Sequence, residues 1–304
     1  MEKTRRLCGL VVLGMFLWFL PTIGEAVSVD CTTQYLQPLI NQYPAGTFFV
    51  VTGICYENIT ISEIKERVTI DGGGTATIIG QDTENATIYV RGQGVTIRGL
   101  TISGGSNGIQ VYHGGTAVID SNIIQNTGRG GIVIGNFGFA RIINNTISSN
   151  PGYGIYVLEG SAARIGVFST IETEPSPNMI EGNGDHGIFV TRSSDARILG
   201  NTISNNAGDG VHVDRVSHAD ISANTINHNG GDGIEVSQGS GADLGSDMGE
   251  GIYDAPNTTT VNNGGKGLAC SIGGYVNGRL GSLNGEQGKK YVIQGCFSSV
   301  ITSP

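Results

Sequence analysis

Three sequence patterns that recur together about every 23 residues predict an all-β fold: a right-handed parallel β-helix, a solenoid of about ten coils with three strands in each. The patterns are G-[IV]-x-[VI], A-x-[IL] and N-x-I, and they keep the same phase between residues 108 and 244. Composition favours the same fold, because the 304 residues include 50 glycines and are rich in Ile, Val, Thr and Asn, which suit short strands and tight turns.

Each repeat is predicted to contain three short strands separated by turns. In the A-x-I strand, Ala140 and Ile142 point to one side and Arg141 to the other, since side chains alternate along a strand. One repeat cannot bury its apolar side alone, whereas stacked repeats bury a column of Ile, Val and Ala and pair in parallel at ~4.8 Å. The N-x-I asparagines are then expected to form a hydrogen-bonded ladder in one turn. Its members are Asn122, Asn145, Asn201 and Asn224.

The first 26 residues have the features of a signal peptide. Three basic residues precede the apolar stretch 7–20, and cleavage is expected after Ala26, where small residues occupy the −3 and −1 positions. An uncleaved anchor is the alternative interpretation, but the apolar run is short for a membrane span. No later segment is long and apolar enough to cross a membrane. The sequence therefore predicts an extracytoplasmic protein, periplasmic or secreted, with no membrane span after cleavage.

The mature chain divides into three predicted parts. Residues 27–66 form an N-terminal cap and first coil, residues 67–268 the β-helix, and residues 269–304 a C-terminal coil and cap, in which the stretch 289–297 closes the end. A short amphipathic helix within residues 33–42 is expected to cap the first coil, whose core and edge groups would otherwise be exposed. Its apolar positions are Tyr35, Leu36, Leu39 and Ile40.

Two inserts interrupt the repeat, at residues 166–178 and 245–257. Both leave the same corner of a coil, because both follow the A-x-[IL] strand. Inserts of this kind become loops at one edge of a solenoid. The two loops can flank a groove, or they can be insertions that the fold tolerates and that have no function.

Four cysteines remain after the signal peptide removes Cys8, and an even number in an exported protein suggests two disulfides. They are Cys31, Cys55, Cys270 and Cys296. Local pairing of the first two and of the last two would pin the two ends of the chain, but the other two connectivities remain open. A metal site at these cysteines is not expected, because none belongs to a CxxC motif or has a histidine near it in sequence.

The charge of the chain excludes one class of partner. The formal net charge is −9, which argues against nucleic acid, whose phosphates attract a basic surface. The oligomeric state is left open by the sequence.

Several stretches resemble bacterial exported proteins built of right-handed parallel β-helix repeats, within the broad pectin-lyase-like superfamily. These stretches are residues 53–61, 68–78 and 270–285, together with the A-R-I, N-T-I-S and G-I units. The resemblance covers nearly all of the mature chain and implies the fold. It does not select a function, because the superfamily includes polysaccharide lyases, polygalacturonases, pectin esterases, alginate epimerases, phage tailspikes and adhesins.

The stretch 182–190, GNGDHGIFV, places an acid and a histidine side by side in one turn of the repeat. The repeat alone explains its glycines, and Asp in such turns commonly bonds its own backbone. Alignment of the coils also brings acids, histidines and aromatic rings onto one outward face, where rings can stack on sugars and carboxylates can accept hydroxyl hydrogen bonds. We therefore predict a binding face for a polysaccharide or a cell-surface component. Its members are Tyr153, Tyr156, His186, Phe189, Asp209, His212, Asp214, Asp232 and Glu235.

Enzyme motifs are incomplete at this face. Residues 184–187, GDHG, match only half of the Gly-His-Gly motif of polygalacturonases, and the Asp-Pro-His motif of alginate epimerases is absent. Arg215 is predicted to be the only basic residue near the acids. Asp209 and Asp232 are expected one strand spacing apart, where they can share a Ca²⁺ ion or a proton; no other cofactor and no catalytic residue is predicted.

Three functions are compatible with these observations. Binding of polysaccharide or a surface component without chemistry is favoured. A polysaccharide lyase or hydrolase acting at the same face is the enzymatic alternative. A passive structural or adhesin-like rod is the third.

Overall fold

A computed structural model describes residues 26–168, 174–245, 255–292 and 295–301, and it confirms the right-handed parallel β-helix. In this described part, the strands form one sheet of 18 strands and a second of 10 strands, and each pairing between named strands is parallel. The predicted signal peptide lies outside the described residues, apart from its last position. The bounds predicted for the caps and the central solenoid stay a prediction.

The N-terminal elements lead from a first strand and a short helix into the early coils. They are β1 (Val27–Asp30), α1 (Leu36–Gln42), β2 (Phe48–Thr52), β3 (Ile54–Tyr56), β4 (Ile59–Ile61), β5 (Thr69–Gly80), β6 (Ile88–Val90), β7 (Val95–Gly104) and β8 (Asn107–Val111).

The regular repeats follow, three strands to a coil. They are β9 (Thr116–Asp120), β10 (Ile123–Thr127), β11 (Gly130–Ile134), β12 (Phe139–Ile143), β13 (Thr146–Ser148), β14 (Ile155–Val157), β15 (Ala162–Ile165), β16 (Met179–Glu181), β17 (Ile188–Val190), β18 (Asp195–Leu199), β19 (Thr202–Ser204), β20 (Val211–Val213), β21 (His218–Ser222), β22 (Thr225–Asn227), β23 (Ile234–Val236) and β24 (Gly241–Leu244). The last strands are β25 (Leu268–Cys270), β26 (Tyr275–Arg279), β27 (Lys290–Val292) and β28 (Phe297–Ile301).

The core is a set of in-register columns, as the periodicity predicts. Ala140 pairs with Ala163, and Ile142 with Ile165, and the same register continues through the later coils. Ile142 and Ile165 are fully buried, while Arg141 between the inward positions is half-buried on the outer side. Stacking therefore buries each coil's apolar side against the next coil. Each Å² of apolar surface removed from water stabilises the fold by ~25 cal/mol.

The predicted asparagine ladder is present and continues further than its four predicted members. Asn201 donates from Nδ2 to Asn224 Oδ1 at 3.1 Å and to the carbonyl of Ile165 at 2.9 Å. Asn178 fills the position between Asn145 and Asn201, and Asn257 extends the ladder beyond Asn224. Each amide thus satisfies backbone groups that the turn leaves without strand partners.

A second ladder, which the sequence analysis did not identify, runs along the next turn. Its members, all buried, are Asn150, Asn183, Asn206, Asn229 and Asn263. A serine ladder occupies the turn before the A-x-I strand, where Ser161 N–H donates to Ser194 Oγ at 3.3 Å.

The N-terminal helix forms where the apolar spacing predicts it. Leu36 and Ile40 are buried, but Tyr35 is 68% exposed and lies just before the helix rather than on its buried side. The Glu57 carboxylate accepts the N–H groups of Leu36 and Gln37 at 2.7 and 2.9 Å, so a side chain from a neighbouring coil caps the helix.

Both disulfides are local. Cys31 pairs with Cys55 and Cys270 with Cys296, with Cα–Cα distances of 4.9 and 5.9 Å. Of the three connectivities that the sequence left open, this one ties the two ends of the solenoid. Among the described residues, no helix has the length and apolar character needed to cross a membrane.

The inserts leave the same corner, as predicted. Gly166 and Gly245 donate their N–H groups to equivalent carbonyls one coil earlier, those of Ile142 and Ile221. Both glycines have a positive φ. A Cβ on Gly166 would collide with the carbonyl of Leu199, which requires glycine there. Residues 169–173 and 246–254 lie outside the described part, so the predicted groove between the loops stays a prediction.

Candidate functional site

The ten-stranded sheet presents one outward column that contains four of the nine predicted face residues. Tyr156, Phe189, His212 and Glu235 are direct register partners on β14, β17, β20 and β23. Inward Ile and Val neighbours on the same strands are fully buried in the core. The core therefore fixes the spacing of the four outward side chains.

The turn before this sheet carries a ladder of side chains that bind backbone amides. Asp209 N–H donates to His186 Nδ1 at 2.8 Å, and Asp232 N–H donates to Asp209 Oδ1 at 2.6 Å. Asp232 Oδ1 in turn accepts the N–H of Lys266. These residues thus hold successive coils together, whatever else they do.

His186 has two hydrogen-bonding states. In the neutral ring, Nδ1 accepts the amide of Asp209, so the proton lies on Nε2. Nδ1 is also 3.2 Å from Asp209 Oδ2, so a protonated ring can donate to that oxygen instead.

His212 is held between two carboxylates. Its Nδ1 is 2.8 Å from Asp209 Oδ2 and 3.3 Å from Glu235 Oε2. Burial opposes the charged ring, but the hydrogen bonds to Asp209 and Glu235 outweigh burial and raise the pKa of His212 to about 9. His212 is therefore protonated at neutral pH.

The two aspartates of the turn have opposite shifts. Burial raises the pKa of Asp209, but its contacts with His186 and His212 outweigh burial and hold that pKa well below its usual range. Burial raises the pKa of Asp232, and the nearby carboxylates of Asp209 and Glu235 add to the effect. Asp209 is thus a buried anion that orients two imidazoles.

Aromatic rings cover the histidines on one side. Tyr156 stacks on Phe189 with ring centroids 5.2 Å apart, and Tyr153 lies nearly parallel to His186 at 5.9 Å. His186 and His212 have centroids 4.5 Å apart. The five rings form one compact cluster on the outer side of the solenoid, and Phe189 at its centre is buried.

Asp214 lies at the edge of this cluster. It is buried and accepts a hydrogen bond from Thr191 Oγ1, and its Oδ2 is 3.9 Å from His212 Nε2. Arg215 Nε lies 3.8 Å from the same oxygen. The prediction that Arg215 is the only basic residue near the acids is wrong, because Lys266, in the same turn position one coil after Asp232, donates its N–H to Asp232 Oδ1 and lines a cavity with Glu235.

The structure thus brings all nine predicted face residues together, and three cavities lie along the same sheet. One of about 630 Å³ is lined by Asp232, Glu235 and Lys266, among others. One of about 270 Å³ lies between Tyr112 and the pair Tyr153 and Tyr156.

The third cavity, of about 550 Å³, lies nearer the N-terminus and includes Tyr89 and Tyr112. Sequence reasoning did not select these two tyrosines, although Tyr89 lies on β6 opposite Gln110 of β8 and Tyr112 directly follows β8. Less regular spacing in the early coils hid the alignment of Tyr89.

Metal-binding capacity at the face is limited by existing hydrogen bonds. Asp209, Asp232 and Glu235 offer oxygens within 4.8 Å of one another. Both oxygens of Asp209 and one of Asp232 already accept hydrogen bonds or contact an imidazole. A Ca²⁺ ion takes six to eight oxygens, so it would need most of them from a ligand or water.

Comparison with known families gives one match. The family model described as "Right handed beta helix region" matches this chain over residues 49–173, 86–247 and 170–277. A search of curated protein sequences finds no match.

Several solved structures are similar in fold. Pectate lyase Pel9A has 13% identity and a TM-score of 0.58, covering 91% of this chain and 77% of that one. A mutant of the periplasmic alginate epimerase AlgG has 15% identity and a TM-score of 0.54, covering 90% and 82%. The A-module of the Azotobacter vinelandii mannuronan C-5 epimerase AlgE4 has 13% identity and a TM-score of 0.51, covering 83% and 86%. At these identities the likeness establishes the pectin-lyase-like fold.

Proposed function

This chain belongs to the right-handed β-helix family, and from that premise we propose that it binds a polysaccharide along the ten-stranded sheet, outside the cytoplasm. The observation that carries the proposal is the cluster of Tyr153, Tyr156 and Phe189 on the same side of the solenoid as the acids Asp232 and Glu235. The tyrosines line one cavity there and the acids line another.

The chemistry of the face suits a sugar chain. Tyr153 and Tyr156 are partly exposed and offer flat apolar surface, while Glu235 and Asp232 offer acceptors for hydroxyl groups. The cavities follow one another along the axis of the solenoid, so an extended polymer fits them better than a compact ligand does. Fold relatives named as pectate lyase and alginate epimerase support a carbohydrate as the ligand class.

The location follows from two observations. Two disulfides need an oxidising compartment to form and persist. One relative in fold is named as periplasmic. Both support an extracytoplasmic site of action, as the predicted signal peptide does.

A second candidate function is acid–base chemistry on the same polymer. One specific observation favours it: the protonated His212 and the ring of His186 lie 4.5 Å apart beside Tyr153. Titratable groups with strongly shifted pKa values in a cleft are common at active sites. A charged imidazole could stabilise a carboxylate of the substrate, and a neutral one could accept a proton.

One experiment separates binding from catalysis. The purified protein is incubated with neutral and acidic polysaccharides, with and without Ca²⁺, and both retention on each polymer and shortened or unsaturated products are measured. Retention without products is the expected result. The double variant Tyr153→Ala/Tyr156→Ala should weaken retention about tenfold or more, 1.4 kcal/mol.

The control is Tyr35→Ala, which removes an aromatic ring that is 68% exposed and far along the chain from the face. Equal retention of the double variant and the control would show that the face is not the binding surface. Products that disappear in His212→Gln would instead establish the enzymatic alternative.

A further inference from the structure

A second cluster of titratable side chains lies on the larger sheet, away from the candidate face. His218 on β21 has Nε2 3.3 Å from Asp243 Oδ2, Nδ1 4.0 Å from Asp220 Oδ1 and Nδ1 3.7 Å from Asp195 Oδ2. Parallel register fixes these positions, since Asp195 pairs with His218 and Asp220 pairs with Asp243 on adjacent coils. One imidazole thus has carboxylates on both of its nitrogen sides.

A glycine shapes the cluster. Tyr275 pairs with Gly241, and a Cβ on Gly241 would collide with the Tyr275 ring. The ring therefore extends across the glycine and stacks near His218, with centroids 6.1 Å apart and planes at 28°. The imidazole is covered on one side and keeps 30% of its side chain exposed, so an ion has access to it.

Asp243 is oriented by neighbours in the next two coils. Asn277 Nδ2 donates to Asp243 Oδ1 at 3.1 Å, and Ser299 Oγ donates to Asn277 Oδ1 at 2.6 Å. This chain of hydrogen bonds holds one carboxylate oxygen of Asp243 and directs the other to His218 Nε2. Orienting hydrogen bonds of this kind are typical around metal ligands.

We propose that His218, Asp220 and Asp243 bind a divalent transition-metal ion of the zinc class. One nitrogen or oxygen atom from each of the three side chains lies within 4.8 Å of the other two, so bonds of ~2.0–2.2 Å to a shared ion need only small side-chain movements. We assign Nε2 of His218 as the ligand atom, because it faces Asp243 at 3.3 Å, whereas Nδ1 lies 3.7 Å from Asp195.

The ligand set selects the ion class. Imidazole binds zinc, nickel and cobalt well, whereas calcium and magnesium prefer oxygen ligands alone. The carboxylates Asp220 and Asp243 repel each other on adjacent strands, and a divalent cation removes that repulsion.

The test is a calorimetric titration of chelator-treated protein with Zn²⁺ and, separately, with Ca²⁺. Zn²⁺ should bind at this cluster, and both His218→Ala and Asp243→Asn should abolish that binding event. Asn277→Ala should weaken Zn²⁺ affinity about 10–100-fold, since it removes only an orienting hydrogen bond. His228→Ala is the matched control, because it removes an exposed histidine elsewhere and should leave the titration unchanged.

Three results would overturn the proposal: no Zn²⁺ binding, Zn²⁺ binding that survives in both His218→Ala and Asp243→Asn, or tighter binding of Ca²⁺ than of Zn²⁺. Zn²⁺ held at the other face instead would be lost in His212→Ala and kept in His218→Ala, which also counts against the proposal. Circular dichroism on each variant verifies the fold. Polysaccharide retention should not change in His218→Ala, so this test is independent of the proposed function.

Discussion

His212 makes the charge state of a single residue testable. Its pKa is raised to about 9 by Asp209 and Glu235, against an ordinary value near 6.5, so the folded protein binds this proton more tightly than the unfolded chain does. The stabilisation is therefore fully present below about pH 6.5 and is lost as the pH rises through about 9. We expect the His212 ring to titrate near pH 9 by NMR.

The same linkage predicts a change in stability. From pH 6 to pH 10, the free energy of unfolding of the wild type should fall by on the order of 2 kcal/mol more than that of His212→Gln. His228→Gln, at an exposed position, should follow the wild type. A His212 ring with a pKa near its ordinary value would disprove the proposed contacts of His212 with Asp209 and Glu235.

At the residue scale, sequence predicted proximity but not hydrogen bonding. The repeat phase alone places His212 beside Glu235, because register follows from the buried Ile and Val columns. The repeat phase could not show that one oxygen of Asp209 accepts a hydrogen bond from the Asp232 amide while the other contacts His212 Nδ1. That division depends on side-chain torsions and on which backbone amides the turn leaves without partners.

At the element scale, the buried asparagine ladder joins the coils. Asn201 Oδ1 accepts the N–H of Asn178, and its Nδ2 donates to the carbonyl of Ile165. The Asn201→Ala variant leaves both backbone groups buried without partners, at about 2–5 kcal/mol in the free energy of unfolding. Urea denaturation measures this loss.

Thr202→Ala is the matched control in the same coil, because Thr202 is exposed and its removal should cost within about 0.5 kcal/mol. Similar urea midpoints for Asn201→Ala and Thr202→Ala would mean that water replaces the ladder.

The two asparagine ladders differ in whether the sequence alone predicts them. The first ladder was predicted because its asparagines precede a regular N-x-I strand. The second has the same periodicity, from Asn150 to Asn183 and Asn206, but it lies in a turn whose composition also reads as ordinary loop. Only the backbone conformation shows that those side chains point inward to the core.

At the scale of the whole molecule, stability depends on contacts between neighbouring coils and on closed ends. In such a solenoid each coil contacts only the next, so periodic sequence predicts the interior well and the ends poorly. Helix α1 was predicted from apolar spacing, whereas its capping by Glu57 from another coil was not, because that contact bridges residues remote in sequence. Likewise, the strands β27 and β28 continue the parallel pairing with Phe297 exposed, which the sequence alone did not indicate.

The N-terminal cap gives the last prediction. Leu36 and Ile40 of α1 pack into the core at the end of the solenoid, and a charge there would displace the helix and expose the edge of the first coils. We expect Leu36→Asp to form larger species than the wild type as protein concentration rises, measured by sedimentation velocity. Because coupling is between neighbours, circular dichroism should still show most of the β-structure. Tyr35→Asp, one residue earlier and exposed, should sediment like the wild type; if Leu36→Asp does so too while remaining folded, α1 does not protect the edge.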